Sequence, residues 1–322
     1  MTTPATPATT TDAPADDVVR IDGLSKRFAK SSVLEHVDLR VKAGETFAFL
    51  GRNGAGKTTT IRMLLGLLSP DAGSIRVLGL DPVRDAIAIR GRVGYLAEDQ
   101  RMWGWMSVEQ ILRFMAPFYP NWSQDLAQRY LHRFELPTRT RIRHLSKGQT
   151  VRLGLLLALA HQPELVILDD PALGLDPIMR KEFNRDVIEH LQGEGRTVFY
   201  SSHLLYEVEP VADRVAILDR GRIVRSGTTD ELREQVRQIV MPAASFHALP
   251  RPAKLLDVRE RDGEVGIVVD EAVATIASLA RAGVPHRVVE LNLDEIFEAF
   301  VIGRADGQTQ PPSTRPRADQ VA

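Results

Sequence analysis

Short apolar runs, separated by stretches with helical periodicity, recur along residues 18–238. Several runs are apolar at successive positions, which is typical of strands that are buried on both faces of a parallel sheet. The predicted strands are residues 18–21, 37–41, 46–50, 74–77, 92–96, 165–168, 197–200 and 215–218. This pattern predicts an α/β core with a mostly parallel sheet.

Two regions depart from this pattern. Strand signals vanish over residues 98–162, where amphipathic stretches at 108–118 and 126–134 predict an inserted helical subdomain. Strand-like and helical stretches alternate over residues 239–303 and predict a small C-terminal α+β domain. Residues 1–17 and 304–322 are rich in proline and polar residues, and we expect them to be disordered tails.

Composition narrows the classes of function. The 322 residues include 41 lysines and arginines and 42 aspartates and glutamates, so the sequence lacks the net positive charge that is typical of nucleic-acid-binding proteins. No nucleic-acid partner is therefore expected. The absence of cysteine excludes disulfides, iron–sulfur clusters and thiol catalysis. The N-terminal residues lack the pattern of a signal peptide, and the longest apolar stretch is far short of the roughly 20 residues that span a bilayer.

Residues 51–58 read Gly-Arg-Asn-Gly-Ala-Gly-Lys-Thr, which is the spacing of a phosphate-binding P-loop. The octapeptide follows a predicted strand and opens an apolar-periodic helix, so a chance glycine-rich turn is the weaker alternative. In such a loop Lys57 reaches the β- and γ-phosphates and the Thr58 hydroxyl ligates magnesium. The residues predicted to bind nucleotide here are Gly51, Asn53, Gly54, Ala55, Gly56, Lys57, Thr58 and Thr59.

Two carboxylates, Asp169 and Asp170, end the apolar run at 165–168. In P-loop enzymes a carboxylate at a strand end holds the magnesium ion, and a second acid orients the attacking water. We predict the first role for Asp169 and the second for Asp170. The alternative is a polar exit from a strand into a loop, which the preceding P-loop makes less favourable.

The pentapeptide at 145–149, Leu-Ser-Lys-Gly-Gln, precedes a helical run at 151–160. Ser146, Gly148 and the free N–H groups at a helix start can bind an anion, although an isolated pentapeptide of this kind is more often a simple N-cap.

The order of these motifs, followed by Gly174-Leu175-Asp176 and Ser201-Ser202-His203, resembles the ATP-binding cassette (ABC) ATPase family over residues 18–235. The resemblance implies a P-loop NTPase core with an antiparallel β subdomain and an inserted α-helical subdomain. It also implies that ATP and Mg²⁺ are the cofactors, and that the chain works as a homodimer of cassettes on separate membrane permease subunits. The expected location is cytoplasmic, at the inner face of the membrane.

The same resemblance assigns further residues. Ser146, Gly148 and Gln149 form the signature that contacts the γ-phosphate bound by the partner cassette, and Asp176 is the aspartate at the dimer seam. His203 contacts the γ-phosphate and acts in catalysis with Asp170 and Lys57, while Phe28 stacks on adenine. The alternatives are a core histidine bonded to backbone and a phenylalanine that only packs.

The signature has Lys147 where a glycine is commoner in the family, and two further departures matter more. Glu98 stands where a glutamine that senses magnesium is usual, so the resemblance places Glu98 at the metal with Thr58 and Asp169. Some exporter branches resemble this chain in carrying an acid there. Asp170 stands where glutamate is usual; the shorter side chain withdraws the carboxylate by about one bond length, so we expect an active but slow ATPase.

Trp103, Trp105 and two methionines, Met102 and Met106, crowd one short loop of the helical insertion. Aromatic residues often contribute much of the binding free energy at protein interfaces, so we predict that this loop contacts the permease. Packing of the helical subdomain onto the core is an equal alternative. The C-terminal domain resembles the accessory domain of single-cassette exporter ATPases, for which we expect dimer support or regulation.

The leading hypothesis is the energy-coupling ATPase of an exporter. A soluble ABC protein acting on the ribosome or DNA is one alternative, although no paired cassette, long coiled coil or basic extension is visible. An ATP-clamped dimerisation switch is the other, because of Asp170.

Overall fold

The computed structural model describes residues 17–29, 31–173, 175–176, 179–180, 191, 193–203 and 208–303. The chain forms two compact units that divide between Thr229 and Asp230. This division precedes the predicted boundary after residue 238, because the helix at the junction, Thr229–Gln235, leads directly into the first strand of the second unit. Both predicted tails lie outside the described residues, except for Asp17, which begins the first strand.

The first unit contains the α/β core, the antiparallel β subdomain and the inserted helices. Its helices and strands follow in the order β1 (Asp17–Phe28), β2 (Ser31–Lys42), β3 (Thr46–Gly51), α1 (Lys57–Leu64), β4 (Ala72–Val77), α2 (Ala86–Arg92), β5 (Val93–Leu96), α3 (Val108–Met115), α4 (Gln124–Arg133), α5 (Lys147–Leu159), β6 (Leu165–Asp169), β7 (Thr197–Ser202), β8 (Arg214–Asp219) and β9 (Arg222–Thr228).

Six of the described strands form the central sheet, in the order β5-β6-β7-β3-β8-β9. The first five run parallel, as their continuous apolar sequences predict, and β9 is an antiparallel edge strand. Phe199 packs between Phe47 and Phe49, with ring centroids 5.6 and 5.4 Å apart. A second, antiparallel sheet of order β2-β1-β4 shares this apolar core, which confirms the predicted fold class.

The parallel register brings three strand ends together. β7 lies between β6 and β3, with Ser201 opposite Asp169 and Ser202 opposite Leu50. Because parallel strands share a carboxyl edge, the P-loop after β3 and the residues that end β6 and β7 meet at one place, where ligands bind in open α/β sheets.

The inserted helices α3, α4 and α5 lie between β5 and β6 in sequence, as predicted. Each begins at a serine whose hydroxyl accepts a backbone N–H, at Ser107, Ser123 and Ser146. The predicted helix at 108–118 is shorter than expected: α3 ends at Met115 and a 3₁₀ turn over Ala116–Phe118 follows, because Pro117 cannot donate to the helical ladder.

The second unit contains two helices between antiparallel strands. Its elements are α6 (Thr229–Gln235), β10 (Arg237–Pro242), α7 (Ala243–Ala248), β11 (Leu255–Arg261), β12 (Glu264–Val269), α8 (Ala272–Arg281), β13 (Arg287–Glu290) and α9 (Leu293–Val301). The strand order β11-β12-β10-β13 with a βαββαβ succession is the ferredoxin-like arrangement. Its core is formed by one apolar cluster that includes Met241, Phe246, Ile267 and Leu279.

Three strands, β9, β10 and β13, escaped sequence prediction. β9 alternates between exposed and partly buried positions, and β13 is a four-residue edge strand with two charged ends, so neither shows a continuous apolar run. Residues 241–242 end β10, which belongs to the second unit. No helix in the described ranges has the length and apolar character needed to cross a bilayer.

Candidate functional site

The P-loop connects the end of β3 to the start of α1, and its glycines permit the tight backbone path. Gly54 and Gly56 have φ values of 81° and 116°, in a region that side-chain-bearing residues rarely adopt. A Cβ at Gly56 would lie 2.6 Å from Leu34 Cδ2, and one at Gly51 would lie 2.6 Å from the Leu218 carbonyl oxygen. These positions therefore require glycine, and the loop can fold its N–H groups around an anion.

Lys57 is the first residue of α1 and is buried. Its Nζ donates a hydrogen bond to the Gly51 carbonyl oxygen at 2.8 Å and lies 3.4 Å from Asp170 Oδ2. A buried ammonium group requires such partners, since an unpaired charge in the interior is strongly destabilising. An anionic phosphate at the P-loop would compete with the Asp170 carboxylate for this lysine.

Asp170 follows β6 and connects Lys57 to His203. Its Oδ1 accepts the His203 backbone N–H at 3.1 Å and lies 2.8 Å from His203 Nδ1. With φ at 42°, Asp170 adopts a left-handed conformation that is costly for a residue other than glycine, and such strain clusters at functional sites. His203 is therefore not a core histidine bonded to backbone: its ring partner is a carboxylate, and its side chain is 25% exposed.

Asp169 ends β6 and is fully buried. Its Oδ1 accepts a 2.6 Å hydrogen bond from the Ser201 hydroxyl. Burial raises the pKa of Asp169, the neighbouring hydroxyls of Ser201 and Thr58 lower it, and the negative charges of Asp170 and Glu98 raise it, leaving it above its ordinary value. The site thus holds an acid whose charge is disfavoured unless a cation stabilises it.

The second carboxylate oxygen of Asp169 fits a magnesium ion. Asp169 Oδ2 is buried and has no hydrogen-bond partner among the described residues, although buried polar atoms are nearly always paired. No cluster of three or more His, Cys, Asp or Glu side chains that could hold a metal occurs in the described ranges. Magnesium in nucleotide sites needs only one or two protein ligands, because phosphates and water complete its shell, so Asp169 and Thr58 suffice.

Glu98 lies in the loop after β5 and is exposed. Burial is the main cause that raises the pKa of Tyr95 to about 12 and the pKa of Asp169 above its ordinary value. The negative charge of Glu98 adds to both increases without a direct contact. Direct ligation of the metal by Glu98 stays a prediction.

The signature residues lie at the start of α5. Ser146 Oγ accepts the Gln149 N–H at 3.2 Å, and Gln149 Oε1 accepts the Ser146 N–H at 3.0 Å, which closes a capping box. Gly148 is buried beneath Met179, whose Cε would lie 2.0 Å from an added Cβ. Ser146 itself is exposed, so the N-cap role found here leaves its hydroxyl accessible to another molecule.

The other predicted positions have local roles. Asp176 is exposed and its Oδ1 accepts the Met179 N–H at 2.9 Å; Gly174 of the same motif lies outside the described residues. Phe28, at the end of β1, is 47% exposed, and Lys26 Nζ lies 5.5 Å from its ring centroid. An exposed ring beside a cation can receive a stacking partner, as the adenine assignment requires.

Ser201 was missed as an individual site residue. The sequence shows it inside the Ser-Ser-His motif, but only the parallel pairing of β6 with β7 places it opposite Asp169. The signal was the polar residue at the end of an otherwise apolar strand.

Comparison with known proteins gives consistent results. A family model described as ABC transporter matches residues 34–173. The daunorubicin resistance ATP-binding protein DrrA3 of Streptomyces coeruleorubidus is 34% identical over 303 residues, covering 88% of this chain and 95% of that protein. The bacitracin transport ATP-binding protein BcrA of Bacillus licheniformis is 34% identical, covering 69% of this chain and 73% of that protein. A solved structure of an ATP-binding subunit of an ABC transporter superposes with a TM-score of 0.62 at 30% identity, covering 67% of this chain and 92% of that chain.

Proposed function

The chain belongs to the ABC transporter ATP-binding proteins, and we propose that this ATPase drives an exporter by coupling ATP-dependent dimer closure to a separate permease. The observation that supports this most is the convergence of Lys57, Asp169, Asp170 and His203 at adjoining strand ends beside the P-loop. Although Asp170 replaces the usual glutamate, its carboxylate contacts both Lys57 and His203, the two residues proposed to bind the γ-phosphate.

ATP binding begins with an exchange of partners. The P-loop N–H groups and Lys57 receive the phosphates, and Lys57 leaves the Asp170 carboxylate that it contacts at 3.4 Å. Phe28 receives the adenine on its exposed face. When bound, magnesium supplies positive charge that neutralises the β- and γ-phosphates, and Thr58 and Asp169 are the residues that hold it.

Hydrolysis then requires one proton transfer. A water oxygen forms a bond to the γ-phosphorus, the bond between that phosphorus and the bridging β–γ oxygen breaks, and ADP and inorganic phosphate separate. The Asp170 carboxylate accepts the proton that the water loses. Lys57 and His203 stabilise the charge that spreads over the γ-phosphate oxygens.

The second half of each site comes from another cassette. Ser146 lies exposed at the N-terminus of α5, and a helix start leaves several backbone N–H groups without partners inside the helix. An anion bound by one chain fits this helix start on its partner, so ATP holds two copies of the chain together as a dimer.

A groove beside the Glu98 loop is the proposed permease site. It has a volume of about 280 Å³ and joins the core to the helical insertion, lined by residues such as Leu67, Tyr95, Arg101, Met102 and Leu157. Its mixed apolar and charged lining suits a short helix from a membrane subunit. The groove begins at the loop that carries Glu98, whose charge acts on Asp169. A permease helix in the groove can therefore respond to nucleotide bound at Asp169.

The loop that contains Trp103, Trp105 and Met106 has one residue that packs inside the protein and two that are available for a permease contact. Met106 is buried and packs inside the helical insertion. Trp103 and Trp105 stay 47% and 63% exposed, and Trp103 meets Phe114 edge to face, with ring centroids 4.9 Å apart. An exposed aromatic cluster of this kind supports an interface that is completed by another protein.

Export rather than import is supported by relatives whose names refer to daunorubicin resistance and bacitracin transport. A chain that supplies ATP-driven force to a permease works at the inner face of the cell membrane, where ATP is available.

Steady-state ATP hydrolysis tests the catalytic part of the proposal. We expect Lys57→Ala to reduce magnesium-dependent turnover by at least about 100-fold, because the phosphate loses its cation and Asp170 loses its partner. Lys42→Ala, an exposed lysine at the end of β2, is the matched control and should retain turnover. Equal activity in the two variants would contradict the assigned site.

The permease part has a separate test, since the chain contains no cysteine. Arg101→Cys places one thiol in the groove, and Val273→Cys places one on an exposed position of the second unit. In native membranes we expect a crosslinker with one thiol-reactive end and one photoreactive end to join the Arg101→Cys chain, but not the control, to an integral membrane protein. Labelling of both or of neither would contradict the proposed contact.

A further inference from the structure

Ser201 holds both carboxylates of the site at once. It is fully buried in β7, and its hydroxyl donates to Asp169 Oδ1 at 2.6 Å. The same Oγ accepts the Asp170 N–H at 3.2 Å, and that N–H also reaches the Ser201 carbonyl oxygen at 3.0 Å. One side chain therefore touches the metal-binding acid and the main chain of the base.

The direction of the hydroxyl proton follows from these contacts. A serine hydroxyl has a single proton, and the Asp170 N–H can only be received by an oxygen lone pair. The proton must then point to Asp169 Oδ1, forming a short bond to a carboxylate, which is among the stronger hydrogen bonds in proteins. This bond fixes one oxygen of Asp169 and leaves Oδ2, the buried oxygen without a partner among the described residues, for the cation.

The contact to Asp170 has a different consequence. Asp170 has φ at 42°, in the left-handed region that costs energy for residues other than glycine, and neighbouring bonds hold it there. Its N–H is bonded to Ser201, and its Oδ1 is bonded to His203, so both ends of the residue are held by β7 and its extension.

We propose that Ser201 is a positioning residue that sets Asp169 for the magnesium–nucleotide complex and Asp170 for the attacking water. This inference rests on the proposed roles of the two aspartates. It predicts that removal of the hydroxyl weakens metal-dependent nucleotide binding first, because outer-shell partners of metal ligands typically change metal affinity or activity by about 10- to 100-fold.

The test compares ATP affinity with magnesium and with EDTA in the full chain. For Ser201→Ala we expect magnesium-dependent ATP affinity to fall about tenfold, while the affinity in EDTA stays unchanged. Ser201→Thr keeps a hydroxyl and should recover most of the loss. Thr197→Val is the matched control: it removes a buried hydroxyl of the same strand that accepts the Gly44 N–H at 3.0 Å, away from the aspartates.

Asp169→Asn distinguishes a failure of the positioning role of Ser201 from a failure of the proposed metal site. If Asp169→Asn loses the magnesium effect while Ser201→Ala keeps it, the positioning role is wrong and the site assignment stands. If Asp169→Asn also keeps it, the assignment of the metal site fails as well. A Ser201→Ala loss matched by Thr197→Val would show a general effect on folding and overturn the inference.

Discussion

The two halves of the proposed ATP site differ in how they are built. The P-loop half is a largely buried set of contacts within one chain, in which Asp170 contacts both Lys57 and His203. The signature half is an exposed helix start whose capping box involves only Ser146 and Gln149. A buried cluster can be preorganised by folding alone, whereas an exposed anion site gains its partner only when a second molecule arrives.

The largest expected effect comes from the buried half. Asp170→Asn keeps the shape but cannot accept a proton at neutral pH, so we expect turnover to fall about 10²- to 10⁴-fold while ATP binding persists. Turnover and equilibrium ATP binding of the purified variant measure the two separately.

Asp170→Glu sharpens the same point. The longer side chain restores the reach that the aspartate lacks, and we expect turnover equal to or above that of the natural chain. If the natural chain does not turn over and Asp170→Glu does, the chain is an ATP-clamped switch rather than a motor.

A smaller effect is expected in the exposed half. Ser146→Ala and Ser107→Ala each remove the serine of a capping box, and each should lower stability by about 1 kcal/mol. Only Ser146→Ala should also lower turnover, by about tenfold or more, because a hydrogen bond to a charged group contributes about 1.5–3 kcal/mol. Equal turnover in the two variants would show that Ser146 only caps its helix and does not contact the nucleotide of a partner chain.

The smallest effect concerns the pH dependence of stability. Burial raises the pKa of Asp169 in the folded chain, so the folded state binds a proton more tightly than the unfolded state does. The free energy of unfolding therefore falls as pH rises from the ordinary value of 3.8 through the raised one. Asp169→Asn, without this charge, should melt at higher temperature than the natural chain at neutral pH.

Two comparisons check that result. The difference in melting temperature should shrink as the pH falls from the folded pKa of Asp169 towards 3.8, where the aspartate becomes neutral in the unfolded chain as well. Adding magnesium and ATP should stabilise the natural chain more than Asp169→Asn. A natural chain that melts above the variant at neutral pH without nucleotide would contradict the charge burial described for Asp169.

The sequence was sufficient for the parts of the molecule with continuous signals. Apolar runs located β3, β6, β7 and β8, and the glycine spacing located the P-loop. Edge strands such as β13 were missed, because half-exposed residues are set by pairing with a neighbour and not by an apolar run of their own.

Site geometry was only partly predictable. Motif order placed Asp169, Asp170 and His203 in one site, but the bond between Asp170 and His203 depends on the left-handed turn at Asp170, which no residue type signals. The role of Ser201 depends on strand register, which links residues 32 positions apart. Such long-range contacts follow from the fold and cannot be derived from a motif alone.

Sedimentation of Asp170→Asn with and without magnesium and ATP tests most directly whether the exposed half serves a second copy of the chain. Because the variant binds ATP without cleaving it, we expect a monomer without nucleotide and a dimer with it. Adding Ser146→Arg should keep the chain monomeric while its ATP affinity is retained. A chain that stays monomeric with ATP, or a dimer that tolerates Ser146→Arg, would contradict the shared site.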